Sequence, residues 1–185
     1  MFSIKHNIDK FLSDEWKDVR TSTKKATRSA NTKVARQAST AAKKEVRNYY
    51  TIPASKLNEA TKIKAGTNED PSAKIIVTGK SLALSYYRAL KNKIKGATAM
   101  IIKGKRVVIP GDKSEGTKTF VSTMKSGHKG IFFRTTKERL PVTERKGPSA
   151  PDLMRSRRAI DAIKLYVKTN YNRLFDAEYK YFKRK

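Results

Sequence analysis

One of the two histidines in this chain, His128, lies between two glycines in the segment MKSGHKGIFFR at residues 124–134. A histidine can act as a general base or bind a metal, but either role requires a second functional group beside it. The other histidine, His6, is distant in the sequence, and the chain has no cysteine, G-x-S-x-G or H-E-x-x-H motif. We therefore predict no catalytic, cofactor-binding or metal-binding role for His128, and no enzymatic activity.

The glycines around His128 indicate a structural function for this segment. Gly127, His128 and Gly130 are predicted to form a tight turn that leads into the strand IFFR. We expect this turn to set the geometry of a contact between subunits.

A second pattern with chemical potential is that of a magnesium-dependent nuclease. Asp112 precedes the triplet Glu144-Arg145-Lys146, and an aspartate followed by Glu-x-Lys on a sheet can bind Mg²⁺ and position a water for phosphodiester cleavage. Asp112 follows Pro-Gly in a predicted loop, which does not fix it beside the triplet. A nuclease is kept as the less favoured alternative.

Basic residues are the strongest chemical signal in the sequence. The chain has 43 Lys and Arg against 16 Asp and Glu, a formal charge of +27, and the excess extends over its whole length. Such a charge favours association with a polyanion or an acidic protein. Seven basic residues in a predicted hairpin and the loops after it are candidates for contact with DNA or an acidic partner: Lys103, Lys105, Arg106, Lys113, Lys118, Lys125 and Lys129. Because no RNP-like, zinc-finger or helix-turn-helix pattern accompanies them, we expect contact without sequence readout.

Strands are predicted in the middle of the chain, where short runs of Ile, Val and Phe alternate with Gly, Pro and Lys. The runs are AKIIVTG, ATAMIIKG, KRVVIP and GIFFRT. Two of them flank Lys103, Gly104 and Lys105, which predicts a hairpin with basic residues at its tip. The fold class is predicted to be α+β, with a long N-terminal helix packed on a small, mostly antiparallel sheet and a long C-terminal helix.

Helices are predicted at both ends. Ser13 is the expected N-cap of one long helix, or of two collinear helices, over 13–49, and a final helix is expected from Pro151 to Phe182. We predict a single domain over 1–185, divided into a helical region (1–50), an α+β core (51–150) and a C-terminal helix (151–185).

The N-terminal helix carries a narrow stripe of mostly small residues at helical spacing. The stripe consists of Trp16, Val19, Thr23, Ala26, Ala30, Val34, Ala38, Ala41 and Val46. Two interpretations are open: a face for close contact with another subunit, or an ordinary core face. No segment has the roughly 20 apolar residues of a membrane span or the apolar core of a signal peptide, so we expect a soluble protein.

Several segments together resemble the minor tail protein Z family of long-tailed bacteriophages, the tail completion proteins. The similar segments are IPGDK at 109–113, FVSTMKSGHKGIFFR at 120–134, RLPVTERKGPSAPDL at 139–153, the N-terminal helix with YTIPASKLNEATKIKA after it, and the terminal amphipathic helix. The segment SLALSYYRALKNKIKG is only weakly similar to the family.

The resemblance implies a structural virion protein at the head-proximal end of the tail that helps to seat the genome end. Expected partners are the tail terminator protein, the head-tail connector protein, the tape measure protein and double-stranded DNA in the channel. The resemblance also implies a homo-oligomeric ring, with a hexamer favoured, that assembles in the host cytoplasm. A stand-alone nucleic-acid-binding protein of ribosomal or nucleoid type is the main alternative, because the charge alone favours it.

Overall fold

The computed structural model describes residues 4–92, 94–111, 118–136 and 138–184, with side chains from residue 16 onward. Four α-helices and one short 3-10 helix are present in this part of the chain. They are α1 (Ile4–Tyr49), α2 (Ala54–Ala60), a 3-10 helix (Leu84–Tyr87), α3 (Ala150–Met154) and α4 (Arg157–Lys183).

Nine strands in the described residues form three sheets. They are β1 (Thr61–Lys64), β2 (Lys74–Val77), β3 (Ser81–Ala83), β4 (Leu90–Asn92), β5 (Gly96–Ile102), β6 (Lys105–Val108), β7 (Phe120–Thr123), β8 (Lys129–Arg134) and β9 (Val142–Ser149). The strand orders are β1-β2, β4-β5-β6 and β3-β9-β8-β7, and the pairings in the two larger sheets are antiparallel. The predicted α+β class is confirmed, with the strands divided among three sheets.

The four-stranded sheet is built around β8, which carries the apolar run of the segment quoted first. Ile131, Phe132 and Phe133 are all buried, since β8 lies between β7 and β9 and both of its faces are covered. The register places Phe132 opposite Phe120 on one side and opposite Glu144 on the other. This register decides which side chains of the motif segments meet.

The first helix is longer than predicted. It begins at Ile4 and runs for 46 residues, so Ser13 lies inside it and is not its N-cap. The residues before Ser13 include no proline or glycine, and Ile4, Ile8 and Leu12 continue a four-residue apolar spacing. Nothing in residues 4–12 therefore breaks the helix, and the predicted boundary at Ser13 is wrong.

The small-residue stripe of α1 is a core face. From Ala26 onward its members are buried except Ala41, which is half-buried; Ala26, Ala30, Ala38 and Val46 are fully inaccessible, whereas Trp16 is 69% exposed. These alanines are covered within the subunit itself. The interpretation of the stripe as a contact face for another subunit is therefore wrong for this stretch.

Within one compact unit, α1 and α4 run antiparallel and are joined by polar contacts. Ser22 donates to the carbonyl of Phe182, Lys33 pairs with Glu178, and Tyr166 pairs with Gln37. Burial raises the pKa of the Glu178 carboxyl, but hydrogen bonds from Lys33 and Ser29 outweigh it and leave the pKa below its usual value. This buried carboxylate is therefore ionised and paired at neutral pH.

The C-terminal helical region is two helices rather than the single predicted one. Ser149 caps α3, its hydroxyl accepting from the backbone N–H of Asp152 while the Asp152 carboxylate accepts from the Ser149 N–H. The α3 helix ends at Met154, and Ser156 then accepts from the N–H of Ala159 at the start of α4. The side chain of Ser156 competes with backbone carbonyls for the N–H of Ala159, and a new helix starts at Arg157, directly after this serine.

The chain is organised in two compact units: residues 1–41, 62–76 and 161–185 form one, and residues 42–61 and 77–160 form the other. The predicted single domain over 1–185 stays a prediction. Among the described helices, none combines the length and the apolar character that crossing a bilayer would require.

Candidate contact surfaces

The β5–β6 hairpin presents three of the predicted basic residues. Lys103 and Gly104 form its turn, and Lys105 and Arg106 begin β6; all are exposed. Gly104 has a φ of +76°, a conformation that glycine adopts without strain. The predicted hairpin with a basic tip is confirmed.

Backbone hydrogen bonds hold this hairpin against the end of α1. The N–H of Lys103 donates to the carbonyl of Tyr49 at 2.9 Å, and the N–H of Thr51 donates to the carbonyl of Ile101 at 2.8 Å. The tip is thus fixed at its base while the two lysine side chains extend into solvent.

Arg106 differs from the two lysines. One guanidinium nitrogen, Nη1, donates to the carbonyl of Arg88 at 2.9 Å and to Oγ1 of Thr98 at 3.3 Å. Its charge therefore lies along the three-stranded sheet, and Lys103 and Lys105 are the residues best placed to meet a partner.

A second hairpin, β7–β8, carries Lys125 and Lys129, both exposed. The N–H of Gly127 donates to the carbonyl of Met124 and the N–H of Met124 to the carbonyl of His128, both at 2.9 Å, and Gly127 has a φ of +80°. These bonds confirm the predicted turn. Its contact with another subunit stays a prediction.

His128 has a partner that the sequence did not reveal. Its Nε2 lies 2.7 Å from Oε1 of Glu144, on the adjacent strand β9. A Cβ on Gly130 would approach Glu144 Oε1 to 2.8 Å and the Phe132 ring to 3.1 Å. Gly130 therefore provides the space in which the Glu144 carboxylate reaches His128. Gly127, by contrast, provides the backbone conformation of the turn.

The next residue, Arg145, connects two of the motif segments. Its guanidinium donates to the carbonyl of Gly111 at 2.8 Å and to that of Pro110 at 3.2 Å, and lies 4.2 Å from the centre of the Phe133 ring. Arg145 thus fixes the Ile-Pro-Gly turn after β6 against the four-stranded sheet. This pairing could not be predicted from the sequence, since 34 residues separate Arg145 from Gly111.

Gly147 and Tyr87 form another close contact. A Cβ on Gly147 would lie 2.6 Å from Cε2 of Tyr87, whose hydroxyl donates to the carbonyl of Pro148 at 2.6 Å. Burial raises the pKa of Tyr87 far above its usual value, so this hydroxyl stays protonated and remains a donor. The Gly-Pro-Ser sequence is thus fitted around a buried tyrosine.

Two residues of the predicted nuclease triplet make contacts within the protein. Glu144 lies beside His128, and Arg145 donates to backbone carbonyls. Asp112 and Lys113 lie outside the described residues. Within the part of the chain that the structure describes, no three His, Asp or Glu side chains group as metal ligands would.

The remaining predicted basic residue, Lys118, is exposed just before β7 and lines a cleft between the two larger sheets. The described basic candidates thus lie on two hairpins of different sheets and on one cleft wall.

Comparison with known families agrees with the motif segments. The family model for prophage minor tail protein Z matches residues 15–175, a range that includes β6 to β9 and the helix-capping segment at Ser149. No curated protein and no solved structure matches the chain at a significant level. The chain therefore belongs to the prophage minor tail protein Z family, and its role is structural, in the tail of a bacteriophage particle.

Proposed function

We propose that this chain is a tail completion protein at the head-proximal end of the tail, where it forms part of the head-tail junction and helps to seat the genome end. In this proposal it acts without catalysis. It contacts the tail terminator protein, the head-tail connector protein and the tape measure protein, and it assembles in the host cytoplasm before residing in the virion. Family membership and the charge of +27 support the proposal.

The observation that carries the proposal is the exposed, anchored hairpin tip at Lys103 and Lys105. Duplex DNA carries one negative charge per about 1.7 Å of its axis, and lysines on a protruding turn can reach phosphates without entering a groove. Such contacts are independent of sequence, as a channel that passes a whole genome requires.

A closed ring, with six copies favoured by the resemblance, would repeat one heterologous contact around the channel. Because the alanine stripe of α1 is buried inside the subunit, this contact must use other surfaces. We favour α4, on which Ile160, Leu165 and Val167 are exposed, together with the turn at Gly127, His128 and Gly130.

Charge reversal at the hairpin tests the DNA contact. In phage that carry Lys103→Glu/Lys105→Glu, we expect heads and tails to join in normal amounts while infectious titre falls by about tenfold or more, because the repelled genome end is misplaced. Arg106 is left unchanged because its side chain bonds to the backbone of Arg88.

The matched control is Lys62→Glu/Lys80→Glu, which makes the same charge change at exposed positions outside both hairpins. Wild-type titre is expected for this control. Normal titre and DNA placement in the hairpin variant would mean that Lys103 and Lys105 do not touch the genome.

The net charge also favours the alternative of a stand-alone nucleic-acid-binding protein. That function predicts tight, strongly salt-dependent DNA binding by a monomer and no requirement for tail proteins. A purified monomer that binds DNA in this way, together with absence of the chain from phage particles, would favour it over the tail completion function.

A further inference from the structure

A cleft of about 530 Å³ lies between the two larger sheets. Its walls come from β4, an outer strand of the three-stranded sheet, and from β7, an outer strand of the four-stranded sheet. The volume is in the range of recesses that hold a small ligand or a few residues of peptide. Both walls therefore offer sheet edges, where an extended chain can pair with the backbone.

The floor of the cleft is tightly constructed. The N–H of Ala97 donates to both the carbonyl and the hydroxyl of Thr119, at 3.1 and 3.0 Å, and the Thr119 hydroxyl donates to the carbonyl of Ile109 at 2.7 Å. Gly96 has a φ of +88°, and a Cβ there would lie 3.0 Å from Thr119 Oγ1. Backbone groups and the buried Thr119 side chain thus fix this part of the cleft.

The rim of the cleft is cationic and its wall is partly apolar. Lys91, Lys118 and Arg134 line it, and the guanidinium carbon of Arg134 lies 5.2 Å from the centre of the Phe120 ring. Val121 and Ala97 add apolar surface, and no described Asp or Glu lines the cleft. Lys91 and Lys118 place two positive charges at the rim of one recess, and this local field favours an anionic occupant.

We propose that this cleft binds an extended, acidic segment of a neighbouring protein, with carboxylates at the cationic rim and an apolar side chain against Phe120 and Val121. A protein segment fits better than duplex DNA, because duplex phosphates lie on a convex rod that would bridge the rim without filling the recess. The inference stands whether or not the β5–β6 hairpin contacts DNA.

Fluorescence anisotropy of a labelled glutamate-rich peptide with interspersed leucines tests the proposal on the full chain. We expect the unmodified chain to bind this peptide and to bind its glutamine counterpart far more weakly. Lys91→Glu/Lys118→Glu should weaken binding by about tenfold or more, while the control Lys62→Glu/Lys80→Glu, with the same net charge, changes it by about twofold or less.

A second measurement needs no variant. On titrating the peptide into isotope-labelled protein, the amide signals of Gly96, Ala97 and Thr119 should shift first, since these residues form the cleft floor. Equal loss of binding in the two variants, or shifts spread over exposed lysines elsewhere, would overturn the proposal. It would also be overturned if a short DNA duplex moved the same three amides at lower concentration than the peptide.

Discussion

Gly130 and Gly147 each leave room for a side chain from a neighbouring element. Gly130 admits the Glu144 carboxylate beside His128, and Gly147 admits the ring of Tyr87. Both contacts are closer than a Cβ would allow, so a side chain at either position must displace its neighbour. For Gly130 the nearest atom is the end of a flexible carboxylate, whereas for Gly147 it belongs to a rigid, fully buried ring.

Replacing Gly147 should therefore be costly. We expect Gly147→Ala to lower the free energy of unfolding by about 1 to 3 kcal/mol, the usual cost of overfilling a packed site. Urea denaturation followed by circular dichroism measures this change.

The control is a double-mutant cycle with Tyr87→Leu, which removes the ring that Gly147→Ala would strike. The effect of the alanine should be much smaller in that background. Unchanged stability of Gly147→Ala, or fully additive effects in the cycle, would contradict this account of the Gly147 contact.

The turn at Gly127 and Gly130 could be predicted from the sequence, whereas the pairing of His128 with Glu144 could not. A turn is formed by about four consecutive residues, so the glycine that its positive φ requires, Gly127, can be recognised from the local sequence. The His128–Glu144 pair depends on the register of β8 against β9, which a one-residue shift would abolish. No pattern in a single sequence specifies that register.

At the scale of elements, serines define the helical boundaries near the C-terminus. The capping box of Ser149 and Asp152 starts α3 where β9 ends, and Ser156 starts α4. Hydrogen bonds from Ser149 hold the pKa of Asp152 below its usual value, so the ionised carboxylate is the form that the cap prefers.

Removing this cap should weaken the fold in a pH-dependent way. Asp152→Asn is expected to lower the free energy of unfolding modestly at neutral pH, because the amide replaces the ionised carboxylate that accepts from Ser149. Because the folded-state pKa of Asp152 is lowered, its contribution is present above the ordinary pKa of 3.8 and is lost as the pH falls through the lower folded-state value. The difference between wild type and variant should therefore shrink in acid.

Urea titrations at a series of pH values provide the measurement, with Glu69→Gln, an exposed loop acid, as the control. A variant whose stability deficit persists or grows in acid would show that the Asp152 charge does not stabilise the cap.

Elements with strong local signals were predictable and those with weak ones were not. β5, β6 and β8 carry runs of β-branched and aromatic residues, and all three were predicted. β3 and β4, in a mixed polar segment, were missed because their pairing to β9 and β5 creates them rather than their composition. The start of α1 was misplaced and the break between α3 and α4 was not predicted, because helix boundaries depend on capping interactions among only a few residues.

Over the whole molecule, a charge of +27 favours neighbours that carry negative charge. The charge, and hence the expectation of an anionic environment, could be obtained from composition alone. The structure divides the described candidates between hairpins and a cleft, which suit different partners: protruding lysines suit the phosphates of a duplex, and a recessed rim suits an acidic protein segment. Electron microscopy can place both surfaces at once.

A cryo-EM map of the head-tail junction in intact particles would show whether copies of this chain surround DNA there, as we propose. We expect a ring of subunits at the head-proximal end of the tail, with the β5–β6 hairpins directed toward DNA density in the channel. A map that places the chain at the distal end of the tail, or that shows these hairpins directed away from the channel, would exclude this role for the protein.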